Sequence, residues 1–522
     1  MQPHRVFCEI EMMGISPEEA RALDENAEFL GISRLQLMEN AGKGVVEALL
    51  KRKEIQGKRV LILSYTGNKG GDGFVVARHL AYHGAYVDLI LLTKPDQIST
   101  EEAKKNFLIV ERLSHSISLH IAPTNSDLLS LQEKFDNADI IVDAMLGTGA
   151  KGEPKDPIKT ALQLCNKSKA YKVAIDVPTG VDPATGAVSK FAFKSELTVT
   201  HHRPKLGLFS EGGKKTSGEI EIVNIGIPPE AEIYAGPGDL RIAMRSRDPY
   251  SHKGDNGRVL VVGGSYRYVG APTLAALAAL RTGVDLAIVA VPSSIAQAVR
   301  SFSPDLIVQP LPSQEVLDMQ SLEALKREAE RSDAVVLGMG LGMDPKTKEV
   351  VWALVEYLSS AGKPMVIDAD ALKALGEIRD KLRLKSAVLT PHAGEFYALT
   401  GEKLPDEREV GWRGRLETVM LWASKLSTTM LLKSHYDIIT EGKKFKVKTI
   451  GNPGLTVGGT GDVLSGIVGA ILSRGINPFN AAVAGSFLNS YAGDLLAMEK
   501  GYHYTAKDLV DKIPEALRKF GL

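Results

Sequence analysis

The stretch GGTGDVLSG, Gly458 to Gly466, sets glycines and a carboxylate at the head of an apolar segment. Glycines at 458, 459 and 461 let a ligand come close to the backbone and tolerate positive φ. The continuation VLSGIVGAILSRG repeats apolar residues at helical spacing, so a helix should begin at these glycines. Amides at a helix N-terminus lack intrahelical partners and, with the helix dipole, favour an anion. Asp462 at the same point suits a group that takes a proton or handles a metal on phosphates. The plainer alternative is a capping Asp after a Gly-rich turn. The run before it, Gly451 to Gly454, forms turns.

Further polar residues end apolar runs in the same half of the chain. Gly338 to Gly342 is a Gly-rich turn, Asp368 and Asp370 end PMVIDAD, His392 and Glu395 follow AVLTP, and Lys433 ends TTMLLKS. His392 and Glu395 lack a third ligand at zinc spacing, so carboxylates beside a Gly-rich anion hole point to a hard cation and phosphates. The first half repeats the pattern. Asn68 and Asp72 follow RVLILSY in GNKGGDG, Asp143 precedes Gly147 to Glu153, and Asp176 precedes Pro178, Thr179 and Gly180. The GNKGGDG segment carries neither a P-loop ending nor a G-x-G-x-x-G fingerprint. Each residue alone reads as a turn or cap, but three strand ends on one edge make a site.

The elements that would position these residues are short apolar strands alternating with helices. Strands are expected at 59–65, 86–92, 139–146, 172–178, 196–202 and 219–226, after helices from the Ser16-to-Glu19 capping box towards Gly31 and over about 35–51. A second series is expected at 258–264, 285–291, 334–340, 364–370, 387–391 and 428–434, with a hairpin around Glu441 and Gly442. Helices are expected at 74–84, after Ser99, and at 271–283, 461–474 and 478–500. Strands apolar on both faces imply parallel sheets covered by helices on both sides, with ligands at the carboxyl ends. A chain of 522 residues exceeds one core, and turn-rich segments place a boundary between about 230 and 245, giving domains 1–235 and 240–522.

Bulk composition bounds the partners. Lys+Arg and Asp+Glu are 63 each, which gives no basic balance for nucleic acid or an anionic membrane. No apolar run reaches membrane-spanning length, and residues 1–12 suggest a loose arm. The two cysteines, Cys8 and Cys165, form no disulfide framework, so a reduced cytoplasm is the expected setting. Pockets on strand-end loops leave helical flanks free for self-association, and a homo-oligomer is expected.

GNKGGDGFVVARHL, DAMLGTGAKGE and AIDVPTGVD resemble the NAD(P)H-hydrate epimerase domain, over most of residues 10–230. HKGDNGRVLVVGGS, GAPTLAALAALRTG, TPHAGE and NPGLTVGGTGDVLSG resemble the ADP-dependent NAD(P)H-hydrate dehydratase domain, a relative of ribokinase-like kinases, over nearly all of 245–520. The resemblance implies two α/β domains, a Rossmann-like α/β/α sandwich and a ribokinase-like α/β/α sandwich, acting as a bifunctional repair enzyme. The first would epimerise R and S NAD(P)HX; the second would dehydrate (6S)-NAD(P)HX to NAD(P)H with ADP, giving AMP and phosphate.

By matched position, Asn68, Lys69, Gly70, Gly71 and Asp72 with Gly147, Thr148, Gly149, Ala150, Lys151, Gly152 and Glu153 would line the dinucleotide. Asp176 would act on the nicotinamide ring as acid/base, and Asn68, Asp143 and Thr179 would surround potassium. In the second domain Asp462 would be the base, with Ala271, Gly340 and His392 on the hydrate. Lys433, Ser434, His435, Tyr436 and Asp437, and Gly458, Gly459, Thr460 and Gly461, would hold the nucleotide, and Glu395 would hold magnesium through water. Two departures stand out. Lys69 replaces the family's second Asn in GNNGGDG, so an ammonium could take potassium's place or point to solvent; and Ser434 to Asp437 replaces a glycine-rich turn. Alternatives are a vitamin or sugar kinase, or a first domain that is a non-catalytic binding module.

Overall fold

The computed structural model describes residues 14–150, 152–244 and 247–522. Lys151, Cys8 and the arm over residues 1–12 lie outside the described residues. The chain divides into two compact units between Pro228 and Pro229. The sequence placed this boundary a few residues later. Residues just after 228 already belong to the second unit, because the Ala235 amide donates to the Val447 carbonyl at 2.9 Å.

The first unit opens with helices α1 (Pro17–Phe29) and α2 (Arg34–Leu50). Ser16 caps α1, accepting the Glu19 amide at 3.1 Å while its own amide donates to the Glu19 carboxylate at 2.8 Å. Among the described residues seven strands form its sheet: β1 (Arg59–Ser64), β2 (Tyr86–Leu91), β3 (Ile117–Ile121), β4 (Ile140–Ala144), β5 (Tyr171–Ile175), β6 (Leu197–His201) and β7 (Glu219–Val223). Their order is β3-β2-β1-β4-β5-β6-β7, and every pairing is parallel. Helix α3 (Asn68–Tyr82) follows β1. In β1, Val60 and Ile62 enter the core on one face while Leu61 and Leu63 enter the core on the other. Each such buried side chain contributes roughly 1.5–3 kcal/mol, so register is fixed from both faces.

The second unit's described strands are β8 (Arg258–Val262), β9 (Leu286–Pro292), β10 (Ile307–Leu311), β11 (Ala334–Leu337), β12 (Met365–Ile367), β13 (Ala387–Leu389), β14 (Thr429–Leu432), β15 (Asp437–Thr440) and β16 (Phe445–Lys448). They run β10-β9-β8-β11-β12-β13-β14-β15-β16, parallel up to β14 and antiparallel through the closing hairpin. The helices used below are α4 (Gly270–Thr282), α5 (Ala369–Leu375), α6 (Ala393–Thr400), α7 (Thr460–Leu472), α8 (Pro478–Lys500) and α9 (Ala506–Lys519). Both sheets reverse their strand order beside the first strand, at β1/β4 and at β8/β11, and such switch points open a crevice at the carboxyl ends.

The two-domain α/β expectation holds, including the hairpin. Strands β3 and β10 and helix α9 have no counterpart in the sequence reading. Both strands sit at sheet edges with half-exposed residues, so neither shows a continuous apolar run. Pro310 in β10 is tolerated because an edge strand has one side without ladder bonds. The GNKGGDG segment, which precedes the helix expected at 74–84, is the opening of α3 with Gly67 as its N-cap.

Candidate active sites

In the first unit the Lys69 side chain turns inward and is 4 % exposed. Its Nζ donates to Asp143 Oδ2 at 2.9 Å, to the Val177 carbonyl at 2.7 Å, to the Leu146 carbonyl at 3.2 Å and to Thr179 Oγ1 at 3.3 Å. Asp143 is fully enclosed and also accepts the Thr179 amide at 2.7 Å and the Thr179 hydroxyl at 2.6 Å. This corrects the potassium expectation. Of its three residues, Asp143 and Thr179 meet, but around an ammonium, while Asn68 is exposed at the first position of α3. A second monovalent cation 4 Å from Lys69 would be repelled by about 4 kcal/mol at an intermediate dielectric. The residues present therefore do not fit a dissolved ion.

Gly70 and Gly71 are buried, and packing accounts for them. A Cβ on Gly70 would lie 2.1 Å from the Tyr65 carbonyl oxygen, and one on Gly71 2.6 Å from the Met38 side chain. Asp72 is buried, and desolvation, then the Asp176 charge, pushes its carboxyl well above the ordinary value. The Gly147-to-Glu153 loop is more open: Gly149, Gly152 and Glu153 are exposed, and the Thr148 carbonyl accepts from Arg21 at 3.4 Å.

Asp176 follows β5 with φ of 61°, a left-handed conformation costly for a non-glycine residue and characteristic of functional positions. Its Oδ1 accepts from Thr200 Oγ1 at 3.1 Å and from the amide of His201 at 3.3 Å. The ammonium of Lys205, 4 % exposed, donates to the same oxygen at 2.5 Å. Burial alone would raise the carboxyl, but Lys205 with His201 reverses this and brings Asp176 down to about 2. Asp24 on α1 moves the other way: burial, opposed by Lys205 and aided by the Asp176 charge, raises it to about 6. Burial lowers His201 to about 4, and its enclosed Nε2 has no hydrogen-bond partner. Asp24, Thr148, Asp176, His201 and Lys205 line one cavity. Lys205, Asp24 and His201 were not singled out from the sequence; the basic run ending β6, HHRPK, was the available signal.

In the second unit Asp462 is the third residue of α7, after Gly459 at φ of 99°, where a side chain would be strained. Helix α7 is fixed by close approach, since a Cβ on Gly466 would meet the Ala275 carbonyl oxygen of α4 at 2.1 Å. The preceding loop is pinned by Asn452, which donates to Asp494 at 2.9 Å and accepts the Tyr504 hydroxyl at 2.9 Å. Burial, then the charges of Asp368, Glu395 and Asp370 against the opposing Lys433, raises Asp462 to about 7. Lys433 Nζ donates to Asp368 Oδ1 at 2.7 Å and lies 3.7 Å from Glu395. Burial opposes its charge, but Asp368 and Glu395 raise its pKa on balance. Nζ also lies 3.4 Å from where a Gly461 Cβ would stand, so it faces the head of α7. Asp368, capping α5, is held by Ser465 at 2.7 Å.

Ala271 and Tyr268 both approach Gly340 near the β8/β11 switch point: a Cβ on Gly340 would lie 2.7 Å from that of Tyr268 and 3.5 Å from that of Ala271. His392 caps α6, its Nδ1 accepting the amides of Gly394 and Glu395 at 3.0 and 3.3 Å while Glu395 accepts the His392 amide at 2.9 Å. This reciprocal capping box accounts for the pair. Among the described residues no group of three His, Cys, Asp or Glu is arranged to hold a metal.

Two expected nucleotide contacts are committed elsewhere. Asp437 is buried and accepts the Ser434 amide at 2.9 Å and the Ser486 hydroxyl at 2.7 Å, with Lys448 at 3.5 Å. Thr460 donates its hydroxyl to the Leu455 carbonyl at 2.6 Å, and its amide is used by Val457. Ser434 bonds Glu407, Tyr436 is half-buried and His435 is exposed beside it. The amides of Gly458, Gly459 and Gly461 remain at the helix head, where intrahelical partners are missing.

These features define a two-unit α/β enzyme with a polar site at the strand ends of each sheet. A family model described as NAD(P)H-hydrate dehydratase matches residues 259–515, and one described as YjeF-related protein N-terminus matches residues 34–207. The chain is 45 % identical over 510 residues to the bifunctional NAD(P)H-hydrate repair enzyme Nnr of Pyrobaculum aerophilum, covering 98 % of this chain and 99 % of that one. It is 43 % identical over 503 residues to the enzyme of the same name from Archaeoglobus fulgidus, covering 96 % and 98 %. A solved ADP/ATP-dependent NAD(P)H-hydrate dehydratase from Bacillus subtilis, co-crystallised with ATP/Mg2+, aligns at 24 % identity and a TM-score of 0.47, covering 55 % of this chain and 98 % of that one. The chain belongs to the bifunctional NAD(P)H-hydrate repair enzyme family.

Proposed function

We infer that this chain repairs hydrated nicotinamide dinucleotides: its first unit interconverts R and S NAD(P)HX, and its second dehydrates (6S)-NAD(P)HX to NAD(P)H with ADP. Identities of 45 % and 43 % over nearly the whole chain to relatives named as bifunctional NAD(P)H-hydrate repair enzymes support the pairing. The observation that carries the second activity is Asp462, its carboxyl raised to about 7 at the head of a glycine-opened helix, beside Lys433.

In this reading Asp462 takes the proton of the hydrate's 6-hydroxyl as that oxygen attacks the β-phosphorus of ADP, and AMP leaves. Amides of Gly458, Gly459 and Gly461, with the Lys433 ammonium, balance charge on the moving phosphoryl group. Phosphate then departs from C6 and a proton from C5, which restores the ring double bond. Ala271, Gly340 and His392 border the hydrate, and the Ser434-to-Tyr436 turn borders the adenosine. The carboxylates of Asp368 and Glu395 suit magnesium arriving with the nucleotide and reached through water, where it would supply charge neutralisation. In the first unit Asp176, kept ionised by Lys205, exchanges a proton with the reacting ring, and the 147–153 loop borders the dinucleotide. A reduced, cytoplasmic setting suits the free, buried Cys165 thiol, and self-association through the helical flanks is part of the same reading. Among the described residues no helix is long and apolar enough to cross a membrane.

The test is to incubate the purified chain with mixed NADHX epimers, magnesium and ADP or ATP while following NADH absorbance. Stoichiometric AMP and phosphate with NADH are expected. A stable phosphorylated product would instead favour the kinase alternative.

A further inference from the structure

We propose that Lys69 is a built-in monovalent cation that makes the first unit's site complete without dissolved potassium. The Lys69 ammonium is enclosed by a carboxylate oxygen, two main-chain carbonyls and a hydroxyl, all within 3.3 Å. That set, rich in neutral oxygens around one positive charge, is what a monovalent cation requires, and the ammonium's three N–H groups are shared among the four acceptors. The acceptors come from separate places: Asp143 from the end of β4, Leu146 just beyond it, and Val177 and Thr179 from the turn after β5. Lys69 itself leaves the first turn of α3, so one covalently attached charge ties the segments after β1, β4 and β5 together. Those segments carry Asp176 and the 147–153 loop. A dissolved ion would do the same work reversibly, with occupancy set by its concentration; a tethered ammonium is always present. The function of the site then becomes insensitive to the surrounding potassium level.

Lys69→Asn removes the ammonium and leaves Asp143, Thr179 and the carbonyls in place. The two proteins are compared in potassium chloride and in choline chloride at equal ionic strength, by thermal melting and by epimerisation of NADHX. For the unaltered chain, epimerisation should change by less than about twofold and its melting temperature should not move between salts. The Lys69→Asn chain should melt higher in potassium chloride by roughly 2–4 °C, as ligand linkage requires, and should lose about tenfold or more of its epimerisation in choline with recovery in potassium. Potassium-specific stabilisation or activation of the unaltered chain would overturn the proposal, and that arm needs no variant to fold. So would a fully active Lys69→Asn chain indifferent to the salt. The epimerisation arm rests on the activity proposed above. The melting arm does not, so a protein with potassium-responsive melting of Lys69→Asn but no epimerisation would sink that activity and leave the built-in cation standing.

Discussion

Replacing Asp462 with Asn keeps the shape of the side chain and removes its ability to take a proton. Burial and the charges of Asp368, Glu395 and Asp370 raise this carboxyl from its ordinary 3.8 to about 7. The folded state therefore holds the proton to higher pH than the unfolded chain does, and ionising Asp462 costs stability as pH rises from about 4 to 7. A displacement of that size corresponds to at most about 4 kcal/mol. Asp462 is half-buried, and solvent screening reduces the expected cost to about 1–2 kcal/mol. Above pH 7 the Asp462→Asn chain should therefore melt roughly 2–6 °C higher than the unaltered one, and near pH 4 the difference should vanish. Its ADP-dependent dehydration should fall by roughly 10²–10⁴-fold. In the unaltered chain that rate should rise with pH to a midpoint near 7, because the ionised form is the base. Melting curves at pH 5 and pH 8.5 with an NADH-release assay read both effects. An Asn variant that turns over normally, or that is destabilised at pH 8.5, would refute the reasoning.

Three further outcomes follow from individual contacts. Lys205→Gln leaves Asp176 without its buried ion partner and should cost about 3–5 kcal/mol of first-unit stability; NADHX epimerisation should fall while dehydration of the S epimer persists, as read by melting and by epimer-resolved chromatography. Gly466→Ala drives a Cβ against the Ala275 carbonyl and should destabilise the second unit by about 1–3 kcal/mol, with dehydration slowed because Asp462 rides on the same helix; differential scanning calorimetry checks the first part. Asp437→Ala should lower stability through its bonds to Ser434 and Ser486 and raise KM for ADP only in step with that loss, through the Ser434 turn; a large rise in KM with unchanged stability would restore Asp437 to the nucleotide site.

Much of the architecture is legible because the inner strands are apolar on both faces: β1 and β8 feed two cores each, so each appears as an unbroken hydrophobic run. Strands β3 and β10 are hidden for the converse reason, since half-exposed edge positions carry Ser118, His120, Gln309 and Pro310. The site is legible where a motif sets the backbone itself, as at Gly458 to Gly461, whose glycines open the helix that carries Asp462. It is less so where a residue's role depends on what lies opposite. Gly70 and Gly71 resemble ligand-facing glycines but are required by Tyr65 and Met38. Asp437 resembles a nucleotide contact but holds its own turn together. Lys205 and Asp24, 181 positions apart in the sequence, acquire meaning only when the fold brings both to Asp176, where Lys205 lowers the Asp176 carboxyl and the Asp176 charge helps raise that of Asp24.

The most direct test of two activities in one chain uses an equal mixture of R and S NADHX with ADP and magnesium, under conditions where spontaneous epimerisation is slow. The unaltered chain should convert all of it to NADH. Asp176→Asn, with its second unit untouched, should stop at half and leave a single epimer behind. Full conversion by that variant at the unaltered rate would contradict the account.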